Sequence, residues 1–216
     1  MRTDLKIVMK LLVLAGLCLA YPVGCAWQRL AFIEPGDTVA HNETIHDTMQ
    51  RWMRHVQKHD RWSTILDVDA IFLSWEVRQA ILERTLSDRP VDAETAAAMR
   101  EREQQMFEGY IEFYLAVMTT QDEWNNLAAE EPAWNIFFVD DDGAEYPSFR
   151  VEEVELDPAL QFTHFPLRSN FKTFYRVSFI RNPKESELPL LHKETHFFGL
   201  LFKGYFGQAH LTWKLD

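Results

Sequence analysis

The segment FKTFYRVSF, residues 171–179, constrains this chain more than any other. Phe171, Thr173, Tyr175, Val177 and Phe179 alternate with Lys172, Arg176 and Ser178. A period of two puts one set on one face of an extended backbone and the other set on the opposite face. An isolated strand is unstable in water, so this one demands partners.

Other segments of the same half are expected to supply them. Trp134–Val139 reads as a strand, and Asp140-Asp141-Asp142-Gly143 turns the chain after it. Phe149–Leu156 reads as a second strand, with an imperfect alternation that fits a bulge. His196–Phe202 and Gln208–Leu215 read as two more, joined through Gly204 and Gly207, and Leu211, Trp213 and Leu215 give the last one a buried face. Twelve of the sixteen phenylalanines lie between Phe137 and Phe206. Residues 132–216 are therefore expected to form a small antiparallel β-sandwich.

Residues 38–131 have a different texture, rich in methionine and holding one proline, Pro90, and one glycine, Gly109. Ile45, Met49, Trp52, Met53 and Val56 recur at helical spacing, as do Val68, Phe72, Trp75, Leu82 and Leu86. Pro90 and Asp92 suggest a break and a new N-cap. A third stripe follows through Met99, Met106, Tyr110, Phe113, Tyr114 and Val117. Thr120-Gln121-Asp122-Glu123 fits a capping box for a short fourth helix, or else the third simply continues. The expected fold class is α+β: an N-terminal helical bundle of three to four helices over 38–131, followed by the sandwich over 132–216.

The N-terminus begins with Arg2, Lys6 and Lys10 against one acid, Asp4, and continues with the apolar run Leu11–Ala20. A basic start, a short apolar run and small residues at a break read as a secretory signal. Val23-Gly24-Cys25 resembles the end of a bacterial lipoprotein signal, in which the cysteine is acylated and becomes the first mature residue. Pro22 stands where that motif usually has leucine, and the resemblance covers the first 25 residues. It implies a signal peptide over 1–24, lipidation at Cys25 and a lipidated tether over 25–37. Ala26 after the cysteine implies the outer membrane, facing the periplasm. Cleavage after Ala20 or Ala26, or retention of Leu11–Gln28 as a membrane-spanning anchor, remain open alternatives. Cys18 is the only other cysteine, so a chain starting at Cys25 has no thiol left for a disulfide, thiolate zinc or a cysteine nucleophile.

The formal net charge of −11 argues against nucleic acid as a partner, because phosphate binding needs a basic face. Within residues 38–131 there are 18 acidic and 9 basic side chains, a surface that is either solvated or open to a basic partner. His41, His46, His55 and His59 cluster near the start of this half, and His55 and His59 are four apart, a spacing that lets two imidazoles on a helix meet one metal. The turn HVQKH lacks the glutamate of a zincin, and Lys58 would repel a cation. Asp140, Asp141 and Asp142 lack the spacing of a calcium loop, and Glu152, Glu153 and Glu155 read as a solvated edge strand. Trp52, Trp75 and Trp213 fall on core stripes, and Trp62, next to Arg61 and Asp60 at an expected helix end, is the one to check for exposure.

No catalytic, metal or cofactor-binding residue is assigned; the one site residue is Cys25. The expected function is a non-catalytic cell-envelope lipoprotein acting as an interaction or assembly module, with the membrane and another envelope protein as partners. The alternatives are a membrane-tethered hydrolase using the histidines with a metal, and a periplasmic ligand-binding protein. The latter needs a pocket between bundle and sandwich.

Overall fold

The computed structural model describes residues 30–35, 44–89, 91–155, 171–184 and 188–215. The leader, Cys25 and His41 lie outside these residues.

Among the described residues the chain forms α1 (Ile45–Trp52), β1 (Met53–Asp60), β2 (Ser63–Phe72), α2 (Trp75–Asp88) and α3 (Ala93–Gly109). It continues with β3 (Tyr110–Thr119), β4 (Trp134–Val139), β5 (Glu145–Pro147), β6 (Arg150–Glu153), β7 (Thr173–Ile180), β8 (Phe197–Gly204) and β9 (Gly207–Lys214). The strands make two antiparallel sheets, ordered β1-β2-β3-β7-β6 and β5-β4-β8-β9. The first sheet joins strands from both sides of the composition break near Pro132.

The expected N-terminal helical bundle is overturned, and with it the α+β reading of a bundle followed by a sandwich. Met53–Asp60 and Ser63–Phe72 are paired strands, and Tyr110–Thr119 is the central strand of the larger sheet. The stripes at three- and four-residue spacing ran across element boundaries: Met53 and Val56 belong to β1, while Ile45, Met49 and Trp52 belong to α1. In β2, Leu66, Val68, Ala70 and Phe72 alternate with Asp67 and Asp69, a period of two hidden by Ile65 and Ile71. The third stripe is helical only to Gly109; beyond it the aromatic and β-branched residues of β3 prefer the extended state. The expected fourth helix is a single 3-10 turn, Asp122–Trp124.

Three helix starts follow local rules. Thr44 Oγ1 accepts from Asp47 N, Ser74 Oγ from Val77 N, and the Asp92 carboxylate from Thr95 N at 2.8 Å. The helices α2 and α3 form a hairpin inserted between the antiparallel partners β2 and β3. Trp75 packs on Phe107 where this hairpin meets the sheet, and Phe107 is the one buried residue of α3. No helix of the described residues is long and apolar enough to cross a membrane.

The core between the sheets is aromatic. Phe72 meets Phe198 at 4.9 Å, and Phe198 stacks on Trp213 at 5.3 Å with an interplanar angle of 2°. Trp52, Trp75 and Trp213 are buried. One side of the sandwich is closed by a strand that changes sheets: Ser148 N donates to Ile136 O, and the next amide, Phe149 N, donates to Ser178 O. On the other side β1 lies beside β9, where Arg54 Nε donates to Thr212 O.

The two ends of the sandwich differ. One carries the helical hairpin and the start of the described chain, where Leu30 forms a parallel bridge with Leu215. There Arg181 lies 4.2 Å over Phe107 and 5.7 Å over Phe32, clasping the incoming segment to α3. The opposite end carries the β1–β2 and β8–β9 turns, since Lys58 lies beside Gly207 and Trp124 packs on Phe206. Trp62, 101% exposed, and Tyr205, 94% exposed, sit at the tips of these turns.

Candidate functional sites on the five-stranded sheet

The outer face of the five-stranded sheet carries two polar clusters, because alternate residues of its strands point away from the aromatic core. The first lies across β1, β2 and the start of β7. His55 pairs with Asp69 and Gln57 with Asp67 in the strand register. His55 Nδ1 lies 2.8 Å from Asp69 Oδ1 and 3.8 Å from Asp67 Oδ1. Lys172 Nζ donates to Asp67 Oδ1 and Asp69 Oδ2, both at 2.5 Å, and Gln57 Nε2 donates to Asp67 Oδ2 at 2.7 Å.

His55, Asp67 and Asp69 have the donor set of a divalent-cation site. Their geometry is nevertheless that of a completed network. Each oxygen of the two carboxylates already accepts a hydrogen bond, and the Lys172 ammonium stands where a cation would. Burial alone would raise the Asp67 carboxyl, but the bonds from Lys172 and Gln57 outweigh it and hold its pKa below the ordinary value. Burial likewise opposes the Lys172 charge, and the two aspartates more than compensate, so its pKa is raised. His59 does not join His55; its Nδ1 bonds Thr64 Oγ1 at 3.1 Å, beyond a register shift between Lys58 and His59. His46 is exposed on α1.

The second cluster centres on Glu112 of β3, 1% exposed. Its Oε1 accepts from Arg176 Nε at 2.8 Å and Ser178 Oγ at 2.9 Å. Its Oε2 accepts from Arg176 Nη2 at 2.8 Å and from Arg78 Nη2. Arg78 in turn reaches Glu103 of α3 at 3.0 Å, so the network fastens the helical hairpin to the sheet. Burial would raise the Glu112 pKa, but the bond from Arg176 and the charges of both arginines lower it. A carboxylate whose four acceptor positions are filled is a poor proton acceptor.

Above Glu112 a cleft of about 270 Å³ opens between α3 and strands β3, β7 and β6. Arg102 and Met106 of α3 form one wall, and Arg150, Glu152, Arg176 and Ser178 line the sheet side. Tyr110 stacks on Phe149 at 5.7 Å along its rim. Glu152 lies on the edge strand β6, half exposed, and lines the cleft from there, while Glu153 is opposite Tyr175 in the β6–β7 ladder.

Asp140, Asp141 and Asp142 border a separate depression near His192 and Thr195. Asp140 Oδ1 accepts from Asp142 N and Ala144 N, and Asp141 accepts from His196 N and Phe197 N at 2.8 and 2.7 Å. These carboxylates tie a turn together, with Gly143 at φ 79°.

Sequence reasoning missed the Glu112 cluster. Its members span α2, β3 and β7 and were read as parts of separate elements. The Asp67/Asp69 alternation within an apolar run was a visible signal for the other. No family model matches the chain, and no curated protein or solved structure matches it.

Proposed function

We propose that the protein is a non-catalytic cell-envelope lipoprotein, held to the membrane through Cys25 and acting as an interaction or assembly module. The observation that supports this is the opposition of the two ends of the sandwich. The described chain enters beside Leu215, at one end of β9, and Trp62 and Tyr205 stand at the other. Cys25 lies five positions before Leu30, a reach of at most about 18 Å. The eight residues of β9 carry the aromatic turns about 26 Å further from that entry point.

A tether at one end and exposed tryptophan and tyrosine at the other suit presentation to a partner facing the membrane. These two side chains are among those that most often dominate protein interfaces. Asp60, Arg61, Asp122 and Glu123 are exposed in turns at this end and supply the mixed charge of an interface rim. The partner class is another envelope protein with apolar pockets.

Two measurements test this. The N-terminal peptide of membrane-extracted protein should begin at Cys25 and carry acyl chains; an intact Met1, or an unmodified start at Tyr21 or Trp27, rejects the lipoprotein. A photo-crosslinking residue at position 62 should give one discrete protein adduct in cells, lost in Tyr205→Ala and absent when the probe is moved to Val91 on the helical hairpin. Equal labelling from both positions rejects the aromatic end as the docking site.

A further inference from the structure

We infer that the cleft between α3 and the sheet is a binding site for a small organic anion: an oxyanion head, carboxylate or phosphate, on a flat apolar body. Arg102, Arg150 and Arg176 line it, against Glu112 and Glu152. Glu112 is consumed below by Arg78, Arg176 and Ser178. The remaining balance is cationic, in a chain whose net charge is −11.

The donors are placed for an incoming oxyanion. Glu112 takes Nε and Nη2 of Arg176, which fixes the guanidinium plane, and Nη1 has no acceptor among the described residues. Arg102 has no hydrogen bond or ion pair among the described residues. Arg150 is only 3.7 Å from Glu152, in an exposed pair that an oxyanion can replace at little cost. Guanidinium groups bind carboxylate and phosphate through paired N–H donors. Beside them Met106, Tyr110 and Phe149 offer an apolar surface, and the volume equals that of about nine waters. Anion and flat body are thus both provided for, and the site does not depend on the membrane tether or on the aromatic end.

Calorimetric titration of the full chain with benzoate and with phenyl phosphate tests it, benzamide serving as the uncharged control. Saturable binding of at least one anion is expected, weakened about tenfold or more in Arg102→Ala/Arg150→Ala and weakened by added salt. Both arginines are exposed, so the variant keeps its core, and an unchanged circular dichroism melt checks this. The anion that binds more tightly identifies the head group. No binding of either anion up to about 10 mM, equal binding of benzamide, or unchanged affinity in the double variant overturns the inference.

Discussion

The indole N–H of Trp213 donates to the backbone carbonyl of Trp52 at 2.7 Å, with both side chains fully buried. The bond ties β9 to the end of α1 and so joins the last strand of the described residues to their first helix. Trp213→Phe keeps the stack on Phe198 but strands a buried carbonyl. A loss of about 1–3 kcal/mol of unfolding free energy is expected, read as a lower urea midpoint at unchanged slope.

Glu112 and Arg78 form the most buried ion pair among the described residues, with side chains 1% and 2% exposed. Removing the carboxylate leaves the buried Arg78 with Glu103 alone and takes from Arg176 the carboxylate that both of its bonds reach. Glu112→Ala should cost about 3–5 kcal/mol, whereas Arg150→Ala, at an exposed pair in the same cleft, should cost less than about 1. Chemical denaturation of the two variants side by side checks the contrast.

The pH dependence follows from the shifted groups. Asp67 and Glu112 have lowered pKa values, so their contribution is complete above the ordinary carboxylate range and is lost as pH falls through the lowered values. Lys172 is raised, so its contribution is complete below its unfolded value and is lost as pH rises through the raised one. Tyr175 acts in the same direction: burial, with the Glu153 charge, pushes its phenol up to about 12. Stability should be flat from about pH 5 to pH 9.5 and fall on both sides. In Asp67→Asn the acid limb should become shallower; a limb unchanged from wild type would contradict the assignment.

Lys172 occupies the position of a cation between Asp67 and Asp69. Lys172→Ala should therefore create a divalent-cation site with His55 as the third ligand. Zinc titration is expected to show micromolar binding in the variant and none in the wild-type protein. Tight binding by both would mean that the ammonium does not block the ligands.

Gly204 and Gly109 make opposite predictions. A Cβ on Gly204 would come within 2.5 Å of Ala133 O and 2.7 Å of the Trp134 ring, whereas one on Gly109 would meet nothing within 4 Å. Gly204→Ala should lower the melting temperature by several degrees and Gly109→Ala should leave it nearly unchanged.

What the sequence by itself determined was local. Period-two alternation marks Thr173–Ile180, the Asp140–Gly143 turn follows Trp134–Val139, and Asp92 caps α3, because a side chain and its neighbours along the chain are enough to set those features. Trp52, Trp75 and Trp213 were legible as core. Only the tertiary structure decided that β2 and β3 are strands. Both are interior strands of the sheet, and packing on both faces blurs alternation into a pattern that also fits a helix. The same holds for Glu112. A buried glutamate is tolerable only beside Arg78 and Arg176, which lie 34 and 64 residues away, and strand pairing brings them to it.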